Sequence, residues 1–197
     1  MSYKRKFEYR IIPEESYFIL RNCPTCGCKS VFINSNNFRV NANGNRIDVW
    51  LIYQCEKCKH TYNLTIHERL RPQDISPEHY KKFMENNIDF AVVYGTDKSV
   101  FAKNKAEIDY NNIKYQINFL NSIGTAKDDP IRFQSGDLLI IENPFELKIR
   151  TDKIVAELLR ITRSKEKQLE KTETILIKNN SIERKIEIRI QGDFNYE

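Results

Sequence analysis

The chain has 197 residues, 40% of them hydrophobic, with a net charge of +5 and a sequence pI near 8.9. That is enough apolar material for one larger core or two small ones, and a charge that favours an anionic partner without the density of a nucleic-acid tail. The charged opening "MSYKRKFEYR" has no signal-peptide core and no window approaches the roughly 18 apolar residues of a membrane span, so a soluble, cytoplasmic protein is expected.

The segment 17–69 reads as strands and turns. Two β-rich runs, 38–40 and 47–53, flank "NANGN", where Asn43 and Gly44 suit the positive φ of a tight hairpin. "HTYNLTIHERL" alternates well enough for a third strand. Ser76 and Pro77 then start a helix over about 77–87, and a second helical stretch falls within 90–109. The pattern returns to strands at 113–120, 138–141 and 146–149, with turns at Asp129-Pro130 and Ser135-Gly136. "RTDKIVAELLRITRSKEKQLEK" carries an apolar face of Ile154, Val155, Leu158 and Leu159, and Ser164 can start a further helix. Two closing strands are predicted at 175–177 and 186–190. The expected fold is α+β: an N-terminal zinc ribbon with a three-stranded antiparallel sheet (1–70), a helical connector (71–112) and a small C-terminal α+β module (113–197).

All five cysteines fall before residue 59, in "CPTCGC" and "CEKC". Close-spaced pairs in a reducing compartment point to metal ligands or redox thiols rather than structural disulfides. Two C-x-x-C turns separated by 28 residues with a hairpin between them offer four sulfurs to one tetrahedral ion. Cys23, Cys26, Cys55 and Cys58 are therefore assigned as ligands of one structural zinc. Cys28 follows the turn-completing Gly27 as a spare thiol at the start of the next strand. His60 is either a substitute ligand or a hydrogen-bond partner beside a thiolate. A site closed by four thiolates lacks the open position that a catalytic zinc keeps for water or substrate. No H-E-x-x-H, P-loop, G-x-S-x-G or glycine-rich dinucleotide turn is present, and His67 and His79 read as isolated surface residues. No catalytic constellation is found, so a non-enzymatic protein is expected.

Towards the C-terminus, Arg163, Lys165 and Lys167 surround the predicted helix start, and Arg150 and Lys153 precede or open the helix before it. Cations at a helix N-terminus oppose its dipole, whereas an external phosphate would complement both the free N–H groups and the positive side chains. Glu166 and Glu170, interleaved with these cations, equally suit a solvated charged surface.

"IRTDKIVAELLRITRSKEKQL" resembles the alpha-L, S-four-like RNA-binding motif through Arg150, Asp152, Lys153, Ala156, Leu159, Thr162, Arg163, Ser164 and Leu169. The resemblance implies an RNA-facing set of Arg150, Lys153, Arg163, Lys165 and Lys167. Glu166 stands where that motif has an apolar residue. The run "FRVNANGNRIDVWLIYQCEKC" with "YNLTIHER" resembles a bacterial family called domain of unknown function ten sixty-two, which implies an N-terminal zinc ribbon. The leading expectation is a zinc-ribbon protein that binds structured or ribosomal RNA through the basic helix pair. A protein-interaction adaptor using the ribbon hairpin is the alternative, followed by a thiol or zinc-dependent enzyme.

Overall fold

A computed structural model describes residues 5–123, 131–178 and 184–193. It divides into two compact units: Pro13–Lys114, and a second that joins Met1–Ile12 to Tyr115–Glu197. The chain thus starts one unit, builds the other, and returns to finish the first.

The Pro13–Lys114 unit is a five-stranded antiparallel sheet. With β1 (Arg5–Pro13) counted first, its strands are β2 (Ile19–Cys23), β3 (Cys28–Asn43), β4 (Arg46–Cys55), β5 (Thr61–Leu70) and the short β6 (Glu107–Ile108), in the order β5-β4-β3-β2-β6. Asn43 pairs with Arg46, so the β3–β4 turn is Gly44-Asn45, with the positive φ of 58° falling on the glycine alone. That is the glycine position of a II′ turn, the hairpin type whose twist matches that of the strands. Asn43 is the last residue of its strand.

Three helices belong to the same unit: α1 (Pro77–Met84), α2 (Ile88–Thr96) and α3 (Lys98–Lys103). Ser76 caps α1 by accepting the His79 N–H, and Asn87 caps α2 by accepting that of Phe90. The stretch predicted as one helix breaks at Asp97, whose carboxylate accepts the Ser99 N–H and opens α3. Phe83 of α1 and Phe90 and Tyr94 of α2 surround Phe38 of β3, the Phe38 and Phe83 rings 4.9 Å apart edge to face. His67 lies half-buried, edge to face with Phe83 and Tyr94, and burial holds its pKa below the usual value; it is not the surface residue expected. At α2 the connection before β2 comes close: a Cβ on Gly95 would meet Ser16 Oγ at 2.2 Å, and Gly95 O accepts the Tyr17 N–H at 2.8 Å.

The other unit holds a mixed five-stranded sheet of β7 (Tyr115–Ile123), β1, β8 (Asp137–Glu142), β10 (Lys185–Ile190) and β9 (Ile175–Lys178), in that order. β1 runs parallel to β8, while β10 is antiparallel to both β8 and β9. Between β8 and β9 come α4 (Thr151–Leu159) and α5 (Arg163–Lys171). Phe7, Ile11, Leu139, Ile141, Ile186 and Ile188 from the strands are buried, as are Ile154, Val155, Leu159 and Leu169 from the helices. The Arg5 guanidinium bonds both oxygens of buried Asp137 at 2.9 and 2.6 Å, joining the start of β1 to the start of β8.

The three-part architecture expected from the sequence is overturned. The cysteine-bearing sheet has five strands, not the three of a ribbon, because β2 and β6 extend it. The helices are not a free helical middle; they bury their aromatic residues against β3. The C-terminal strands do not form a small self-contained module, since β1 lies between β7 and β8 in their sheet. Residues 146–149 are not a strand: buried Asn143 accepts the Leu147 N–H at 3.0 Å and donates to Leu147 O at 3.1 Å, satisfying locally the groups that a strand partner would take. The predicted turn at Asp129-Pro130 lies outside the described residues, whereas Gly136, at φ 95°, forms the turn before β8.

Candidate functional site

The β2–β3 and β4–β5 connections lie at the same end of their sheet, and each carries one C-x-x-C pair. The two turns repeat one construction. Gly27 N–H donates to Cys23 O at 2.9 Å with Gly27 at φ 67°, and Lys59 N–H donates to Cys55 O at 3.0 Å with Lys59 at φ 63°. Each left-handed residue closes its turn so that both sulfurs of the pair face the same side. Glycine suits the first position, while Lys59 accepts a conformation that costs a side-chain residue about 1 kcal/mol.

Four sulfurs converge as a result. Cys23, Cys26, Cys55 and Cys58 place their Sγ atoms within 4.8 Å of one another, with Cys23–Cys58 at 3.4 Å and Cys26–Cys55 at 3.9 Å across the two turns. A tetrahedron of thiolates around an ion at about 2.3 Å has edges of about 3.8 Å, so the cluster has the size of a four-thiolate metal site. Cys23 and Cys55 are buried, and all five cysteines are free. Backbone N–H groups of Cys58 and Lys57 hold the Cys55 thiol down at about 6, whereas the Cys58 side chain and burial push Cys26 up to about 12. Sulfurs this close resist joint ionisation, and a cation removes the conflict by taking all four as thiolates.

Cys28 is exposed and stands outside the cluster, its Sγ 3.7 Å from Ser30 Oγ. His60 is outside it too; its Nδ1 lies 3.2 Å from Thr25 Oγ1, a link between the two turns. Beside them, Arg21 rests on the Tyr62 ring at 3.6 Å.

The basic residues of the C-terminal helices belong to the other unit. Asp152 in the first turn of α4 receives Arg150 at 2.7 Å and Arg163 at 2.8 Å, so one carboxylate joins the N-terminal ends of α4 and α5. Those two guanidiniums hold the Asp152 carboxyl down at about 2. α4 ends at Arg160, left-handed at φ 54°, and Thr162 rather than Ser164 caps α5, its hydroxyl accepting the Lys165 N–H at 3.2 Å. The Lys153 ammonium sits 4.8 Å from the centre of the Tyr115 ring. Lys167 shares a cavity of about 430 Å³ with Ile149, Arg150, Asp152, Glu166, Glu170 and Ile177.

Glu166 departs most from expectation. Read from sequence as a solvated charge among lysines, it is 1% exposed, on the side of α5 that also buries Leu169. Its Oε2 has no hydrogen-bond partner among the described residues. Burial, reinforced by Glu170 and Asp152, pushes its carboxyl up to about 6. The signal was present in the sequence: Glu166 occupies an apolar position of the motif that these helices resemble.

Fold and site together define a β-rich protein of two units with a four-cysteine cluster able to hold one metal ion. The chain belongs to the family described as protein of unknown function (DUF1062), whose model matches residues 40–181. The match contains Cys55 and Cys58 and begins after Cys23 and Cys26, so the two halves of the cluster fall on either side of its start. No curated protein and no solved structure matches the chain. Among the described residues, no helix is long and apolar enough to cross a membrane.

Proposed function

We propose that this is a cytoplasmic, non-enzymatic RNA-binding protein whose four cysteines hold one structural zinc. Cys23, Cys26, Cys55 and Cys58 would be its ligands, and the ion would crosslink the β2–β3 and β4–β5 turns. Four thiolates leave no open coordination position, which suits a structural ion rather than a catalytic one.

The observation that carries the RNA reading is the Asp152 clamp. It holds Arg150 and Arg163 together where α4 and α5 both begin, so two planar donors and two positive helix ends share one place. Asp152 takes the Nε and Nη2 edge of each guanidinium, so a phosphate would be drawn by their remaining donors and charge and by the helix N-termini. Exposed Lys167 adds a charge beside Arg150. Interactions of this kind fix a backbone and lose strength with salt.

The test replaces Arg163, Lys165 and Lys167 with Glu and titrates a structured RNA across a series of salt concentrations. Affinity should fall, and the slope of log K against log salt should shrink by about 0.7–0.9 for each phosphate that the variant no longer neutralises. Binding that is unchanged in strength and slope rules out the helix pair as the RNA site.

A further inference from the structure

The four edges of the two sheets are not alike. An edge strand leaves a row of backbone N–H and C=O groups unpaired, and proteins guard such edges with short strands, charges or covering groups. In the Pro13–Lys114 unit, β6 is two residues long. At β5 the Asn104 side chain takes both the N–H and the C=O of Thr65, each at 2.8 Å, and Lys103 bonds Ile66 O. In the other unit β9 has four residues and ends on Lys178. β7 has none of these guards. It runs nine residues, YQINFLNSI, and is uncharged throughout, whereas every other described strand carries at least one charged residue. Among the described residues no strand pairs with its outer side. Phe119, Leu120 and Ile123 stand 47%, 43% and 54% exposed along it. The strand is nonetheless anchored: the Tyr115 hydroxyl donates to Glu157 of α4 at 3.0 Å, and the Phe119 ring lies 5.4 Å from that of Tyr9.

We propose that a second copy of this chain docks on β7, the two β7 strands pairing antiparallel about Phe119 and joining two five-stranded sheets into one. The absence of charge selects this occupant. In a two-fold pair the same patch meets itself, so a charged residue near the axis would face its own like. β7 carries nothing that a second β7 repels, and nothing with which a foreign strand would form an ion pair. Phe119 is the middle residue of the strand, so pairing about it sets Phe119 against Phe119 and Tyr115 against Ile123. The exposed apolar groups then cover one another as an aromatic pair and an aromatic–β-branched pair, both favourable across strands. Backbone pairing of this kind is the general way in which an open sheet edge takes up a partner. It is independent of RNA binding.

The experiment measures the mass of the full-length chain by sedimentation across a wide range of concentrations. The wild type should reach twice the 23.4 kDa of one chain. Phe119→Glu and Phe119→Lys should each stay at the single-chain mass, because pairing would set like charges face to face. An equimolar mixture of the two should regain the double mass, because Glu then meets Lys. Hydrogen exchange needs no variant, and decides the matter if either variant fails to fold: β7 amides should slow at least about tenfold from the dilute to the concentrated wild type, with those of β9 unchanged. A wild type that keeps the single-chain mass overturns the proposal and leaves the edge to a foreign strand. A dimer that persists in both variants, or whose β7 amides exchange as fast as in the dilute chain, overturns it by placing the contact elsewhere. Folded variants that stay monomeric in the mixture overturn the pairing about Phe119.

Discussion

The two units differ in how their sheets are assembled around their key residues. In the Pro13–Lys114 unit the cysteine cluster comes from two short turns, each closed by a hydrogen bond within five residues, and the sheet has only to bring the turns side by side. In the other unit the Asp152 clamp is also local, but the sheet is joined by long-range contacts. Arg5 meets Asp137 across most of the chain, and β1 pairs with β8 rather than with anything near it in sequence. The two sheets should therefore fail separately: the first through its cysteine cluster, the second through contacts such as the one between Arg5 and buried Asp137.

The largest effect should come from removing a ligand. Structural zinc in small peptides contributes roughly 10–16 kcal/mol of apparent binding energy, and that energy is folding energy. Cys55→Ser should lose the metal, and hydrogen exchange should show β2 to β5 losing protection while β8 and β10 keep theirs. Native mass spectrometry should find one metal in the wild type and in Cys28→Ser, whose exposed thiol lies outside the cluster. Equal loss of protection in both sheets would mean that the cysteine cluster does not act on its own sheet alone.

A smaller effect is expected from Arg5→Ala. Asp137 is 1% exposed, and removing its guanidinium leaves a buried carboxylate with the Gln134 N–H, at a cost of about 3 kcal/mol, the low end for breaking a buried pair because Arg5 is partly exposed. Chemical denaturation followed by exchange should place that loss in the β1–β8 sheet. If Arg5→Ala instead melts the cysteine-bearing sheet first, the two units do not differ as described.

The smallest effect is expected at Glu166. Glu166 keeps its proton to about pH 6 in the folded chain, against 4.5 for an ordinary Glu. As pH rises between these values the unfolded chain releases the proton first, so this group contributes stability below about 4.5 that is lost through about 6. Glu166→Gln should therefore be more stable than the wild type above pH 6, by on the order of 1–2 kcal/mol, with the advantage shrinking towards pH 4.5. Thermal melts of both proteins from pH 4 to pH 8 measure the difference; a constant offset would mean that Glu166 ionises normally.

Particular elements explain what was legible. The β3–β4 hairpin was visible because alternation and Gly44 lie in one window. β1 carries the same alternation, with Phe7, Tyr9 and Ile11 buried, yet no strand is expected there, because its charged residues are read only as excluding a signal-peptide core. Their partners, Asp137 for Arg5 and Glu142 for Arg10, lie far along the chain. The stretch 146–149 looked like a strand because its composition fits one; a single buried side chain, Asn143, supplies the bonds instead. The break at Asp97 follows from a side-chain cap that competes with helix continuation, a choice that spacing alone does not settle.

By itself the sequence determined the pairing of cysteines into two turns, because C-x-x-C geometry is local and the residue that closes each turn follows at once. It also determined the positions of α4 and α5 and the basic residues at their starts. Tertiary contacts alone place β1 in a sheet with the C-terminal strands, join Arg150 to Arg163 through one carboxylate, and bury Glu166 with no partner for Oε2 among the described residues. Burial and long-range pairing depend on which surfaces meet, and a local pattern of charges reads alike on a solvated face and along a buried seam.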